Sequence, residues 1–339
     1  MMGLLVQYLQ RLYRGAVDGW DRFWFTGIDP AGLGLIRILT GWMLVYTHLV
    51  WTLGLNRFLG PDSMLPPEYV QEFHGSSWAW SYLFWIESPL LLKITHGIAL
   101  LIFLSFMVGF KTRWTGILSF LITVAYINRT VHGLFGLDQI NGFLAFYLAI
   151  GPSGAAYSVD RWLKSRKSNT HLVIQKSVGA NVSTRLIQLH MCIVYLFAAL
   201  GKLQGETWWT GEALWGALAN YEYQTIDMTW TAEYPMLIDL LTHITVLWEI
   251  SYCVLIWPKL TRPLVLFMAI PLHLGIAFAM GMITFGFIML IANLAFVSPW
   301  LIRRFVESGL LRRPTENQPV DKNISPVSYT HLRAHETRT

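Results

Sequence analysis

The chain has 339 residues, of which 54% are hydrophobic and 13% charged, with 16 Trp and a formal net charge of +5. Soluble domains carry about 25% charged residues, so the composition excludes a soluble globule and indicates an integral membrane protein. The basic excess lies in loops between apolar runs, which excludes a nucleic-acid footprint, and the only cysteines, Cys192 and Cys253, read as buried thiols within such runs.

In chain order, the first thirty residues carry Arg11, Arg14, Asp18, Asp21 and Arg22 without an apolar core. They read as an amphipathic helix on the membrane surface and not as a cleavable signal peptide. Apolar runs long enough to cross a bilayer follow at 33–54, 89–109, 114–131, 139–156, 185–203, 236–257, 263–281 and 283–301. The expected fold is therefore all-α, a polytopic bundle of about eight transmembrane helices. The fourth run is the weakest, interrupted by Gly142 and flanked by Asp138. Between the runs, 56–79 holds Pro61, Pro66 and Pro67 and reads as a surface or re-entrant loop. The aromatic stretch 78–86 reads as a short interfacial helix, and 161–185 as a basic cytoplasmic linker. Residues 208–221 place Trp208, Trp215 and Leu218 at helical spacing, an interfacial helix with Trp at headgroup depth.

The membrane domain is expected over 1–310, with a cytoplasmic tail over 311–324. From Ser325 the chain reads SPVSYTHLRAHETRT, which resembles translated sequencing-adapter read-through. That segment, 325–339, is set apart from function despite its His331 and His335.

Charge placement orients the bundle. One set of loops holds Lys111 and Arg113, then Arg161, Lys164, Arg166, Lys167, Lys176 and Arg185, then Lys259 and Arg262, then Arg303 and Arg304. The loop after Lys202 holds Glu206, Glu212, Glu222, Asp227 and Glu233 and no Lys or Arg. By the positive-inside rule both termini are cytoplasmic, in an inner (plasma) membrane. No inverted internal repeat of the kind common in carriers is visible.

Lys202 stands at the outer mouth of the fifth run. A charge within a span costs about 2.5–3.5 kcal/mol on insertion scales, so such residues tend to face a cavity or do chemistry. Gln188, Tyr195 and Lys202 recur every seven residues on one helix stripe flanked by Ala198 and Ala199. His273 lies mid-span with Ala269, Ala277 and Gly281 on a small-residue stripe, just after Pro271. It reads as a proton carrier or as a polar strut. The sixth run carries Asp239 and His243 near its outer end and Glu249 deeper, where a carboxylate needs a partner or a proton. Gly286 and Asn293 read as packing, and Arg37, His48, Lys93, His96 and His190 as structural or snorkelling. Phosphate-loop, HExxH, CxxC and GxSxG patterns are absent from the sequence, and no metal site is expected.

Four stretches run in order through residues 20–305: GLGLIRILTGWML, GFLAFYLAIGPSGAAYSVDRW, RLIQLHMCIVYLFAALGKLQGETWWTG and PLHLGIAFAMGMITFGFIMLIANLAFVSPW. Through them the chain resembles the HTTM family, the horizontally transferred transmembrane domain shared with vitamin K-dependent gamma-carboxylases. The resemblance implies that Lys202 matches the lysine that deprotonates reduced vitamin K, and that His273 is similar to a membrane histidine assisting that chemistry. The large extramembrane domain of the carboxylases has no counterpart here, and Leu137 and Asp138 stand where another membrane histidine is expected.

Lys202 and His273 are therefore the candidate catalytic pair, in a cavity open to the outer face. Tyr195, Trp208, Trp209, Glu249 and His243 are the candidate substrate contacts. The leading expectation is acid–base chemistry on a quinone-like or other lipid-soluble molecule, with a reduced quinone as the implied cofactor and carboxylase- or epoxidase-like lyase chemistry in view. Two alternatives stay open: a non-enzymatic module binding a lipid or a partner protein, and a proton-coupled carrier using Glu249 and His243.

Overall fold

The computed structural model describes residues 2–75, 78–168, 173–222 and 224–310. The expected tail 311–324, the segment 325–339 and His331 and His335 lie outside the described residues. By its contacts the chain divides into Met1–Ile302, which carries everything below, and Arg303–Thr339, whose described part is helical.

Helices account for the regular structure, and one isolated antiparallel bridge pairs Ile28 with Ser177. In order they are α1 (Met2–Phe25), α2 (Ala31–Thr52), α3 (Leu55–Leu59), α4 (Pro67–His74), α5 (Pro89–Val108), α6 (Thr112–Arg129), α7 (Gly136–Ile150) and α8 (Val159–Ser168). Then come α9 (Val178–Lys202), α10 (Glu206–Trp209), α11 (Ala213–Leu218), α12 (Pro235–Leu255), α13 (Arg262–Ala279), α14 (Ile283–Asn293) and α15 (Pro299–Leu310). Every apolar run read from the sequence is helical. Five of them, α2, α5, α9, α12 and α13, are long and apolar enough to cross a membrane. A sixth span results if Ile283–Phe296 and Pro299–Val306 are taken as one broken segment. The protein is a multi-pass membrane protein whose count of eight spans is not reached: α7 has 15 residues and α14 has 11, short of a bilayer at about 1.5 Å per residue.

The expected surface features take helical form. The stretch 56–79 folds as α3 and α4, 78–86 contains the 3₁₀ turn Tyr82–Trp85, and 208–221 contains α11. The linker 161–185 is largely helical, being the rest of α8 and the start of α9.

Helices end and approach where sequence chemistry allows it. Gly109, at φ +75°, closes α5, with its N–H on Phe106 and that of Phe110 on Ser105. Gly41 brings α2 so close to α5 that a Cβ would lie 2.6 Å from the Met107 Cα. The start of α6 is capped from α8. The Asp160 carboxylate accepts from Lys111 N at 2.8 Å, Thr112 N at 2.8 Å and Thr112 Oγ1 at 2.7 Å. Burial alone would raise the Asp160 pKa, but these donors and Lys164 hold it below the ordinary carboxylate value.

The polar residues read as structural are so placed. Arg37 is fully buried, and its guanidinium donates to Ser153 O at 2.7 Å, Ala156 O at 3.3 Å and Tyr157 O. His48 bonds Leu44 O within its own helix, His96 joins the Tyr126 hydroxyl at 2.7 Å, and His190 meets the Tyr147 hydroxyl at 3.0 Å.

Asp160→Ala should destabilise the protein by about 0.5–2 kcal/mol, the range for losing a helix cap, read as a lower Tm in detergent. A depressed folded pKa means that the contribution is present above the ordinary value of 3.8 and is lost as pH falls below it. The gap between wild type and variant should therefore close in acid. Gly41→Ala should cost about 1–3 kcal/mol by forcing α2 off α5, and a Tm equal to wild type would show that the helices shift freely.

Candidate functional site

The site is built from α9, α12, α13 and α14. Helix α9 begins at Ser177, whose side chain accepts from Ala180 N, and runs 25 residues to Lys202. Its seven-residue stripe faces inward as the spacing requires: Gln188 and Tyr195 are buried, and Lys202 is partly so. Each finds a partner on a different element. Gln188 Nε2 donates to Ala295 O at 2.7 Å, just past α14. Tyr195 meets His273 of α13, and Lys202 meets Glu249 of α12.

The Lys202 ammonium donates to both carboxylate oxygens of Glu249, at 2.9 Å to Oε1 and 2.8 Å to Oε2. The Lys202 side chain is 23% exposed and that of Glu249 8%. The amine also lies 5.3 Å from the centroid of the Trp208 ring, a cation–π contact from α10. Two charges that would each be costly in hydrocarbon are thus neutralised as a pair.

Deeper in the bundle lies a directed chain of neutral hydrogen bonds. The Tyr252 hydroxyl donates to Asn293 Oδ1 at 2.7 Å. Asn293 Nδ2 donates to the Tyr195 hydroxyl at 2.9 Å and to Met289 O at 2.9 Å. Since a backbone carbonyl only accepts, the Met289 contact fixes which end of the Asn293 amide is nitrogen. Tyr195, already accepting from Asn293, gives its proton to His273 Nε2 at 2.7 Å. His273 is 2% exposed, and its Nδ1 has no partner among the described residues. Trp248 stands edge-on to Tyr195 at 5.0 Å, and Tyr252 lies 4.1 Å from Tyr195 between centroids.

Small residues permit this packing. Ala269 and Ala277 share the buried face of His273 on α13, while Gly281 lies beyond the helix at φ +69°. A Cβ on Gly286 of α14 would strike the His273 carbonyl and Ala277. Pro271 sits inside α13 and supplies no N–H to the helix ladder.

Lys202, Glu249, Trp208, Tyr195 and His273 are thus gathered at one place, as a charged pair and a neutral pair joined through α9. Two candidates are not. Trp209 is 64% exposed, with Nε1 on Leu203 O. His243 is half exposed and pairs with Asp239 at 2.8 Å one turn earlier in α12. Glu249 and His243 have separate partners. An open cavity of about 580 Å³ lies near the acidic loop end, lined by Thr210, Gly211, Glu212, Trp215 and Asp239 among others. Its wall begins just past Trp209 and includes neither Lys202 nor His273. Gly211 adopts φ +84° beside Asp239, where a Cβ would collide with the carboxylate. Among the described residues no group of three or more His, Cys, Asp or Glu is placed to hold a metal ion.

Sequence reasoning missed the pairing of Lys202 with Glu249, although each was marked as needing a partner. Asn293 was read as packing, yet it holds two tyrosines together. Its signal was an amide in an otherwise apolar span.

Comparison with curated proteins and with solved structures finds no match. The sequence pattern of the HTTM domain matches residues 25–300, most of the chain. This helical membrane protein belongs to the HTTM domain family.

Proposed function

We propose that the protein performs acid–base chemistry on a lipid-soluble molecule bearing an ionisable hydroxyl, with Lys202 and Glu249 as the proton-accepting unit. The observation that supports this reading most directly is the doubly hydrogen-bonded pair at 2.8–2.9 Å, contributed by two different spans. Intramembrane ionisable pairs of this kind mark proton pathways and chemistry.

Glu249 changes how Lys202 works. A lysine buried alone has its charged form disfavoured, whereas a carboxylate at contact distance favours the ammonium. The charged lysine accepts a substrate proton only by passing one of its own to Glu249. The hydroxyl proton moves to Nζ, an Nζ proton moves to the carboxylate, and the products are an oxyanion, an ammonium and a neutral Glu249. Charge balances at every point, and the oxyanion is left beside a cation in a low-dielectric site. Tyr195 and His273 act next to this pair as hydrogen-bonding groups that orient the substrate.

A reduced quinone belongs to the substrate class. Its phenol-like hydroxyls ionise near pH 10 in water, within reach of such a pair, and the partial exposure of Lys202 leaves the amine accessible. In this reading the basic end of the bundle faces the cytoplasm and the membrane is a plasma membrane. Binding without turnover is a second reading, favoured by the open cavity near the acidic loop.

Purified protein supplied with reduced quinones should form product, epoxide included, with Lys202→Met slower by about 10²–10⁴-fold. Glu249→Gln should also be slow, and its residual activity should climb with pH, because Lys202 must then lose its own proton to solvent. Equal turnover in wild type and both variants would remove the proposal and leave the binding reading. Tyr195→Phe leaves Asn293 and His273 each short of a partner and should cost about 1–3 kcal/mol, measured as a drop in Tm.

A further inference from the structure

At the end of the bundle opposite Lys202, where α2, α9 and α13 begin and α12 ends, lies a cleft of about 270 Å³. Arg185, Arg262 and Lys259 line it, with Asn181, Gln188 and Asp29. We infer that this cleft binds the phosphate-bearing headgroup of an anionic lipid.

The two guanidiniums are held in place by neutral groups. Arg185 Nη1 donates to Gln188 Oε1 at 2.9 Å and Nε to Phe23 O at 3.3 Å, and its guanidinium lies 4.4 Å from the centroid of the Phe23 ring. Arg262 Nε donates to Ile256 O at 3.0 Å and Nη2 to Trp257 O at 2.6 Å, capping the end of α12. Among the described residues neither arginine has a carboxylate within ion-pair distance, and the two are near enough to repel each other. Asp29 is the single carboxylate on the wall, and its Oδ1 is engaged by Ala31 N at 2.9 Å. The lining therefore carries three cations against one anion. Two fixed guanidiniums with N–H groups to spare suit the bidentate geometry of a phosphate. Bringing in an anion also relieves the repulsion between them.

Location selects a lipid as the source. Asn181 Nδ2 donates to Phe23 O at 2.7 Å and Trp24 O at 2.9 Å, so the cleft is fastened to the end of the amphipathic α1. Leu5, Leu9 and Leu12 of α1 are more than half exposed, an apolar surface suited to the acyl boundary. A cleft at the same level as that helix stands at headgroup depth, where basic pockets between spans take anionic lipids. The site is separate from the Lys202 chemistry and does not depend on it.

The test is native mass spectrometry of the full chain in nanodiscs containing phosphatidylglycerol and phosphatidylcholine. Wild type should retain phosphatidylglycerol in preference, and Arg185→Gln with Lys259→Gln should weaken retention about thirtyfold. The control variant Lys164→Gln with Arg166→Gln removes the same charge from α8 and should leave retention unchanged. Lys259→Gln alone, at an exposed position, should weaken it about fivefold and serves if the double variant fails to fold. A second arm adds inorganic phosphate. No displacement supports the lipid source, whereas full displacement overturns it in favour of free phosphate. Equal retention of both lipids by wild type, or equal loss in the double and control variants, overturns the site.

Discussion

In hydrocarbon, polar groups without an internal partner cost several kcal/mol, and this requirement organises the bundle around α9. One helix carries Gln188, Tyr195 and Lys202 on a single face, and each side chain reaches a different neighbour: the turn after α14, α13 and α12. The three bonds sit two turns apart along one helix. They set the rotation of α9 and the depth of its partners together, which a purely apolar seam of Leu and Ile would leave free to slide. The glycine and alanine positions do the complementary work of bringing backbones close enough for these short bonds to form.

The two halves of the site differ in physical character. The Lys202–Glu249 pair is ionic, partly reached by solvent, and covered by Trp208. The Tyr252–Asn293–Tyr195–His273 chain is neutral, dry and fixed in direction by a backbone carbonyl. A charged element that exchanges protons beside a rigid neutral element that positions a substrate is an arrangement expected of a site for chemistry.

Much of this was legible in the sequence, and the reasons are specific. Hydropathy and the distribution of Lys and Arg gave the helical class and the ends of the helices, because both follow from solvation alone. The heptad spacing of Gln188, Tyr195 and Lys202 gave the inward stripe of α9, because helix geometry is local. What joined Lys202 to Glu249 was the packing of α9 on α12, across a separation of 47 residues, and no local period encodes that. The same holds for Asn293, whose role depends on two tyrosines from other helices. The span count was less legible because a helix such as α7 is apolar enough to be read as a span yet too short to reach across when it stands alone. The acidic-end cavity was placed one turn too deep, since loop geometry after Lys202 turns on Gly211 and its positive φ.

Arg37 carries a consequence for biogenesis. Its carbonyl partner at Ser153 lies 116 residues further along the chain, and those at Ala156 and Tyr157 follow. When α2 first enters the bilayer, none of these acceptors has been synthesised. The residue lies only six positions into its helix, about 9 Å from the start, so the side chain can wait at the headgroups until the 151–158 turn arrives. The guanidinium is then drawn inward as the turn docks. Its burial is a late event in assembly, and the turn acts as a latch that closes after the first four long helices are in place.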